Sequence, residues 1–170
     1  EKSNNKSASK SSITKKQIEK LIKAGDIAKK AKHFARELIK PNMHLLEIAE
    51  KIEAEIIKLG GKPAFPVNLS INEIAAHSTP AYNDEQKASG LLKVDLGVHV
   101  DGFVADTALS LDLENSAENK KLIETAEKCL QKAIEIFSRN EELKKVGEVI
   151  EQTAKSANLQ PIINLSGHSI

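Results

Sequence analysis

From Thr14 onward, apolar residues return every three or four positions, the period of an amphipathic helix. Ile18, Leu21, Ile22, Ala28, Ala31, Ala35, Leu38 and Ile39 form this first stripe. Thr14 with Gln17 three residues later has the spacing of a capping box, and Pro41 ends the run. A second stripe, Leu45, Leu46, Ile48, Ala49, Ile52, Ile56 and Leu59, predicts another helix closed by Gly60-Gly61. The period then shortens. Residues 65–69 read as extended, and residues 71–77 read as a strand-like run ending at His77. A polar stretch over 82–89 predicts a surface loop. Two β-prone runs follow, folded onto each other at Val100-Asp101-Gly102 and ending near Leu113. Asn115 or Ser116 opens a third helix along Leu122, Ile123, Ala126, Leu130, Ala133, Ile134 and Phe137. Leu143, Val146, Ile150 and Ala154 mark a fourth helix, frayed by Asn158, and residues 161–165 predict a last strand leading to His168. Two helices then strands, followed by two helices then a strand, suggest an internal repeat whose second hairpin would lie after residue 170.

The hairpin carries the candidate chemistry. Asp95 lies inside the apolar run Val94-Asp95-Leu96, and Asp106 inside Val104-Ala105-Asp106. A strand interior is a costly place for a bare carboxylate. Two carboxylates facing each other repel unless a cation lies between them. The competing reading places both aspartates in solvent on an edge hairpin, since Asp is depleted in strands but not forbidden there. His77, at the end of Asn72-Glu73-Ile74-Ala75-Ala76-His77, and His168, in Gly167-His168-Ser169-Ile170, weigh against it. Each is a ligand or proton carrier of the kind a divalent site uses. His33 falls off its helix's apolar face and is expected in solvent, while His44 suits a cap or surface role. His99 shares the face of Asp95 by strand alternation and is expected beside the site or exposed.

Together, NEIAAHSTP, VDLGVHVDGFVADTALSLDL and NLSGHSI resemble the methionine aminopeptidases, metallopeptidases of the pita-bread fold, in the family's order and spacing. The resemblance runs from about Thr14 to the end. His77-Ser78-Thr79-Pro80 and Gly167-His168-Ser169-Ile170 are similar to the type 2 enzymes, where type 1 enzymes usually carry His-Gly-Ile-Pro and Gly-His-Gly-Ile. It implies an α+β pita-bread fold, of the creatinase and aminopeptidase kind, with an antiparallel sheet covered by helices. It implies two divalent ions held by two aspartates, a histidine and two glutamates. Asp95, bidentate on one ion, Asp106, bridging both, and His168, on the other, match the first three ligands. Both glutamates and the general base belong to the second half of the pseudo-twofold fold, so residues 14–170 are expected to be the first half of an enzyme. His77 matches the histidine that hydrogen-bonds the substrate peptide, and Phe65 an aromatic wall of the methionine side-chain pocket. The implied activity is removal of initiator methionine from nascent chains. Manganese, iron, cobalt and zinc all suit such a donor set. Prolidase-like cleavage, and a non-catalytic binding protein on the same fold, are the rival readings.

Composition narrows the partners. A formal charge of +1 gives no broad basic field, so no specific nucleic-acid partner is expected. Residues 1–13 are Lys- and Ser-rich and are expected to be a disordered tail, with ribosome proximity as the sharper reading of their modest charge. The single cysteine, Cys129, excludes an internal disulfide and lies on an apolar helix face, where it packs. No run approaches the ~20 apolar residues of a membrane span. A cytoplasmic setting without a membrane partner is expected.

Overall fold

A computed structural model describes residues 13–139 and 141–168. Most of the tail expected to be disordered lies outside the described residues, and Ile13 at its end is exposed. Helix α1 spans Lys15–Leu38 and α2 spans Leu45–Lys58. Four strands follow: β1 Lys62–Pro63, β2 Asn68–Ile71, β3 Leu91–Val100 and β4 Phe103–Asp112. Two more helices, α3 Ala117–Ser138 and α4 Leu143–Ser156, complete the elements. The strands form one antiparallel sheet in which β3 pairs with β1 and β2 on one side and with β4 on the other.

Thr14 caps α1 as the sequence predicts. Its hydroxyl accepts the Gln17 N–H at 3.3 Å, and the Gln17 side chain accepts the Thr14 N–H at 2.7 Å. The buried face of α1 is built from Ile27 and the alanines Ala24, Ala28, Ala31 and Ala35, whose small side chains let the helix approach the sheet closely. Leu45, Ile48, Ile52 and Ile56 of α2 meet Leu92, Val94, Leu96 and Val98 of β3 in the same core, all fully buried. Each such side chain contributes about 1.5–3 kcal/mol of burial free energy. Cys129 is buried, and its Sγ lies 3.6 Å from the Ile150 carbonyl oxygen, in the seam where α3 packs on α4.

Two expected strands are not formed. β2 stops at Ile71, and residues 72–77 leave the sheet rather than extending it to His77. Asn72 takes φ 49°, and its side-chain Oδ1 accepts the Leu91 N–H at 2.9 Å. That amide occupies the position where a continuing strand would have to pair. Residues 161–165, expected as a strand, form a turn in which Leu165 N–H reaches the Ile162 carbonyl at 3.4 Å. A short apolar run becomes a strand only beside a ladder partner, and no described strand lies next to it.

Candidate active site

Strand parity decides which side of the sheet each side chain faces. Directly paired residues of an antiparallel sheet share a face, and successive residues alternate. Val94, Leu96 and Val98 point to the core, so Asp95, Gly97 and His99 point the other way. Asp106 stands opposite Gly97 and Ala108 opposite Asp95, which puts Asp106 on the face of Asp95 at a diagonal position. The turn between them has two residues, Asp101 and Gly102, with φ of 52° and 87°, the left-handed pair that suits a tight hairpin.

On this face a cavity of about 520 Å³ is bordered by Phe65, Asn68, His77, Thr79, Asp95, Asp106 and His168. All five candidate site residues therefore reach one place. Their elements differ. Asp95 and Asp106 come from the hairpin, Phe65 from the segment between β1 and β2, and His77 from the loop after β2. His168 comes from the irregular segment after α4, and its Nε2 lies 3.8 Å from Asp106 Oδ2. The Asp106 side chain keeps 30% of its accessible surface and that of His168 keeps 66%. His77 sits at φ 60°, a left-handed conformation uncommon for a residue with a side chain. Its loop is tied to β2 by the Leu69 N–H bonding to the Ser78 carbonyl at 2.7 Å.

Phe65 lies over the sheet at Gly97. A Cβ at Gly97 would come within 2.3 Å of a Phe65 ring carbon and 3.0 Å of Ala64 Cβ, so the glycine makes room for the aromatic ring next to Asp106's register position. His99 takes no part. It borders a separate cavity, and its Nδ1 accepts the Gly102 N–H at 3.2 Å.

Asp95 is half-buried, and that burial raises its carboxyl above the ordinary range. The Asn68 amide lowers it, the Asp106 charge raises it further, and His77 lowers it. Asn68 was not among the residues singled out from sequence. It is 8% exposed, stands opposite Asp95 in the β2–β3 ladder, and sends Nδ2 to Asp95 Oδ2 at 3.4 Å. Thr79 Oγ1 donates to Asn68 Oδ1 at 2.6 Å. An asparagine in a short strand, where that residue is depleted, was the available signal. Asp112, given no role from sequence, accepts N–H groups from Glu114 and the Asn119 side chain at 3.1 Å each and fastens β4 to the start of α3.

Among the described residues no three His, Cys, Asp or Glu side chains form a single cluster able to hold a metal ion. Two carboxylates and two imidazoles border the cavity, and Asp95, raised first by burial and then by the nearby Asp106 charge, is a carboxylate whose ionised form a cation would stabilise. The chemistry of this donor set fits a divalent ion that takes oxygen and nitrogen ligands, as part of its coordination.

The model for metallopeptidase family M24 matches residues 19–170. The chain belongs to that family. Among curated relatives of this M24 chain is a methionine aminopeptidase from Pyrococcus abyssi, 50% identical over 155 residues. That match covers 90% of this chain and 52% of the relative. Another, from Methanothermus fervidus, is 46% identical over 166 residues, covering 90% of this chain and 88% of the relative. The chain thus spans about half the length of several curated relatives it matches. The crystal structure of a methionine aminopeptidase from Thermotoga maritima superposes with TM-score 0.83 at 26% identity, covering 93% of this chain and 67% of that one. A prolidase from Pyrococcus furiosus shares the fold at TM-score 0.67 and 21% identity. The α+β pita-bread architecture of the M24 chain is established by these likenesses, and divalent metal chemistry is a property of the family it joins.

Proposed function

We propose that this chain is the first half of a type 2-like methionine aminopeptidase catalytic domain, which removes initiator methionine from peptide N-termini in the cytoplasm. The observation that carries the reading is the meeting of Asp95, Asp106, His77 and His168 at one cavity in a chain whose relatives are methionine aminopeptidases. Asp95, Asp106 and His168 are the side chains that would hold divalent ions, two in the complete enzyme. When bound, such ions act as Lewis acids on the peptide carbonyl and make water a better nucleophile at neutral pH.

The chain's own groups supply the rest. His77 offers a ring nitrogen to the substrate peptide and steadies the charge that develops on its carbonyl oxygen. Phe65 and Val104 give the cavity an apolar wall on which an unbranched methionine side chain packs. Gly97 keeps Phe65 close to the sheet. The complementary half supplies the remaining ligands and the general base, so this chain alone is expected to be inactive. Among the described residues no helix is long and apolar enough to cross a membrane.

The test is a peptide assay with manganese or cobalt on this chain alone and on this chain co-expressed with a complementary half. Only the pair should release methionine from Met-Ala-Ser. Asp106→Ala in the pair should lower turnover by at least about a hundredfold, the upper end for losing even an outer partner of a metal site. Chelator-sensitive turnover by the chain alone would refute its incompleteness. Preferential cleavage before proline would replace the substrate reading with a prolidase-like one.

A further inference from the structure

We infer that Thr79 and Asn68 form a directional hydrogen-bond relay that presents an amide N–H to Asp95, making both positioning residues for that carboxylate's hold on a divalent cation. The inference rests on the proposed reading of Asp95 as a ligand and assigns the residues that aim it.

The direction of the relay follows from what each group can donate. An ionised carboxylate only accepts, so the Asn68 amide must turn Nδ2 toward Asp95 Oδ2, where it lies at 3.4 Å. That orientation leaves Oδ1 facing Thr79, whose hydroxyl must then donate, and Oγ1 stands 2.6 Å away. Asn68 is 8% exposed, so its two amide ends depend on these protein partners more than on solvent. Flipping the amide would set a carbonyl oxygen against the carboxylate, so Asp95 fixes the sense of the amide and the Thr79 hydroxyl then satisfies and anchors the Oδ1 end. Register reinforces the aim. Asn68 is paired directly with Asp95 across the ladder, and Leu69 N–H fixes the Ser78 carbonyl at 2.7 Å just before Thr79. Thr79 follows His77 by two residues on the same loop, so the relay also makes the histidine loop and the carboxylate depend on one another's position.

A buried, satisfied asparagine with a purely structural role would leave metal affinity untouched when its partner is altered conservatively. The experiment therefore measures manganese(II) affinity by electron paramagnetic resonance in the protein as its gene encodes it, alongside thermal unfolding in chelator. Thr79→Val keeps the shape and removes the donor, and should weaken manganese binding about tenfold, the scale on which outer partners tune metal sites. Thr79→Ser retains the hydroxyl and should bind like the wild type. Thr79→Ala, at the same exposed position, is the second variant and should behave as Thr79→Val. Asn68→Ala combined with Thr79→Val should be no weaker than Asn68→Ala alone, because both act through one relay. Wild-type affinity in Thr79→Val, or an equal loss in Thr79→Ser, overturns the relay while leaving Asp95 as a ligand. A wild-type protein that binds no manganese overturns both.

Discussion

Gly97 and Asp95 show how much of the site depends on single atoms. At Gly97 even a methyl group would overlap the Phe65 ring, with a separation of 2.3 Å. Gly97→Ala should therefore destabilise the chain by about 1–3 kcal/mol, the usual range for overpacking. Urea unfolding checks this, and an added Phe65→Leu substitution should recover part of the loss. At Asp95 the governing quantity is charge. Burial, assisted by Asp106, holds its folded-state carboxyl above the ordinary value, so the folded chain binds a proton more readily than the unfolded one. Stability then falls as pH rises from the unfolded value, about 3.9, through the raised folded value. Asp95→Asn should unfold at higher urea than the wild type at pH 7 in chelator. That advantage should vanish below about pH 4, where the wild-type carboxyl is protonated in both states. An advantage that grows on acidification would show that the sign is wrong.

The hairpin is the element that sets the site. Its two-residue turn needs left-handed backbone at both Asp101 and Gly102, and Gly102, at φ 87°, is the position least tolerant of a side chain. Gly102→Ala should cost about 1 kcal/mol in unfolding experiments. Register fixes parity: a one-residue slip of β4 against β3 would turn Asp106 to the core face, away from Asp95. The Lys20 ammonium meets Asp101 at 2.9 Å and lies 5.5 Å from the Phe103 ring centroid, linking the turn to α1.

At the scale of the whole molecule the two ends differ in how well they are covered. α1 and α2 close one face of the sheet over a continuous core. α3 and α4 pack mainly on each other and leave Leu130, Ile134, Phe137 and Leu143 exposed, while β4 offers an outer edge that no described strand pairs with. Open edges and contiguous apolar surface favour association. The isolated chain should therefore self-associate as its concentration rises, as followed by sedimentation velocity. Ile134→Glu with Phe137→Lys should suppress it, and a complementary half should replace it with a defined complex. A monodisperse monomer at high concentration would show that the exposed residues drive no association.

The sequence by itself determined what depends on near neighbours. The four helices, the capping box at Thr14, the Asp-Gly turn and the shared face of Asp95 and Asp106 all follow from spacing within a few residues, because helix period, turn length and strand parity are local. Tertiary structure decided whatever needed a partner distant in the chain. Residues 71–77 and 161–165 have strand-like composition, yet the first leaves the sheet at Asn72 and the second has no described neighbour to pair with. Asn68 acquires its significance only from standing opposite Asp95, 27 residues away, with Thr79 closing the contact. A hydrogen-bond ladder and a buried amide are satisfied by groups that only folding brings together, and no periodicity in the chain encodes their register.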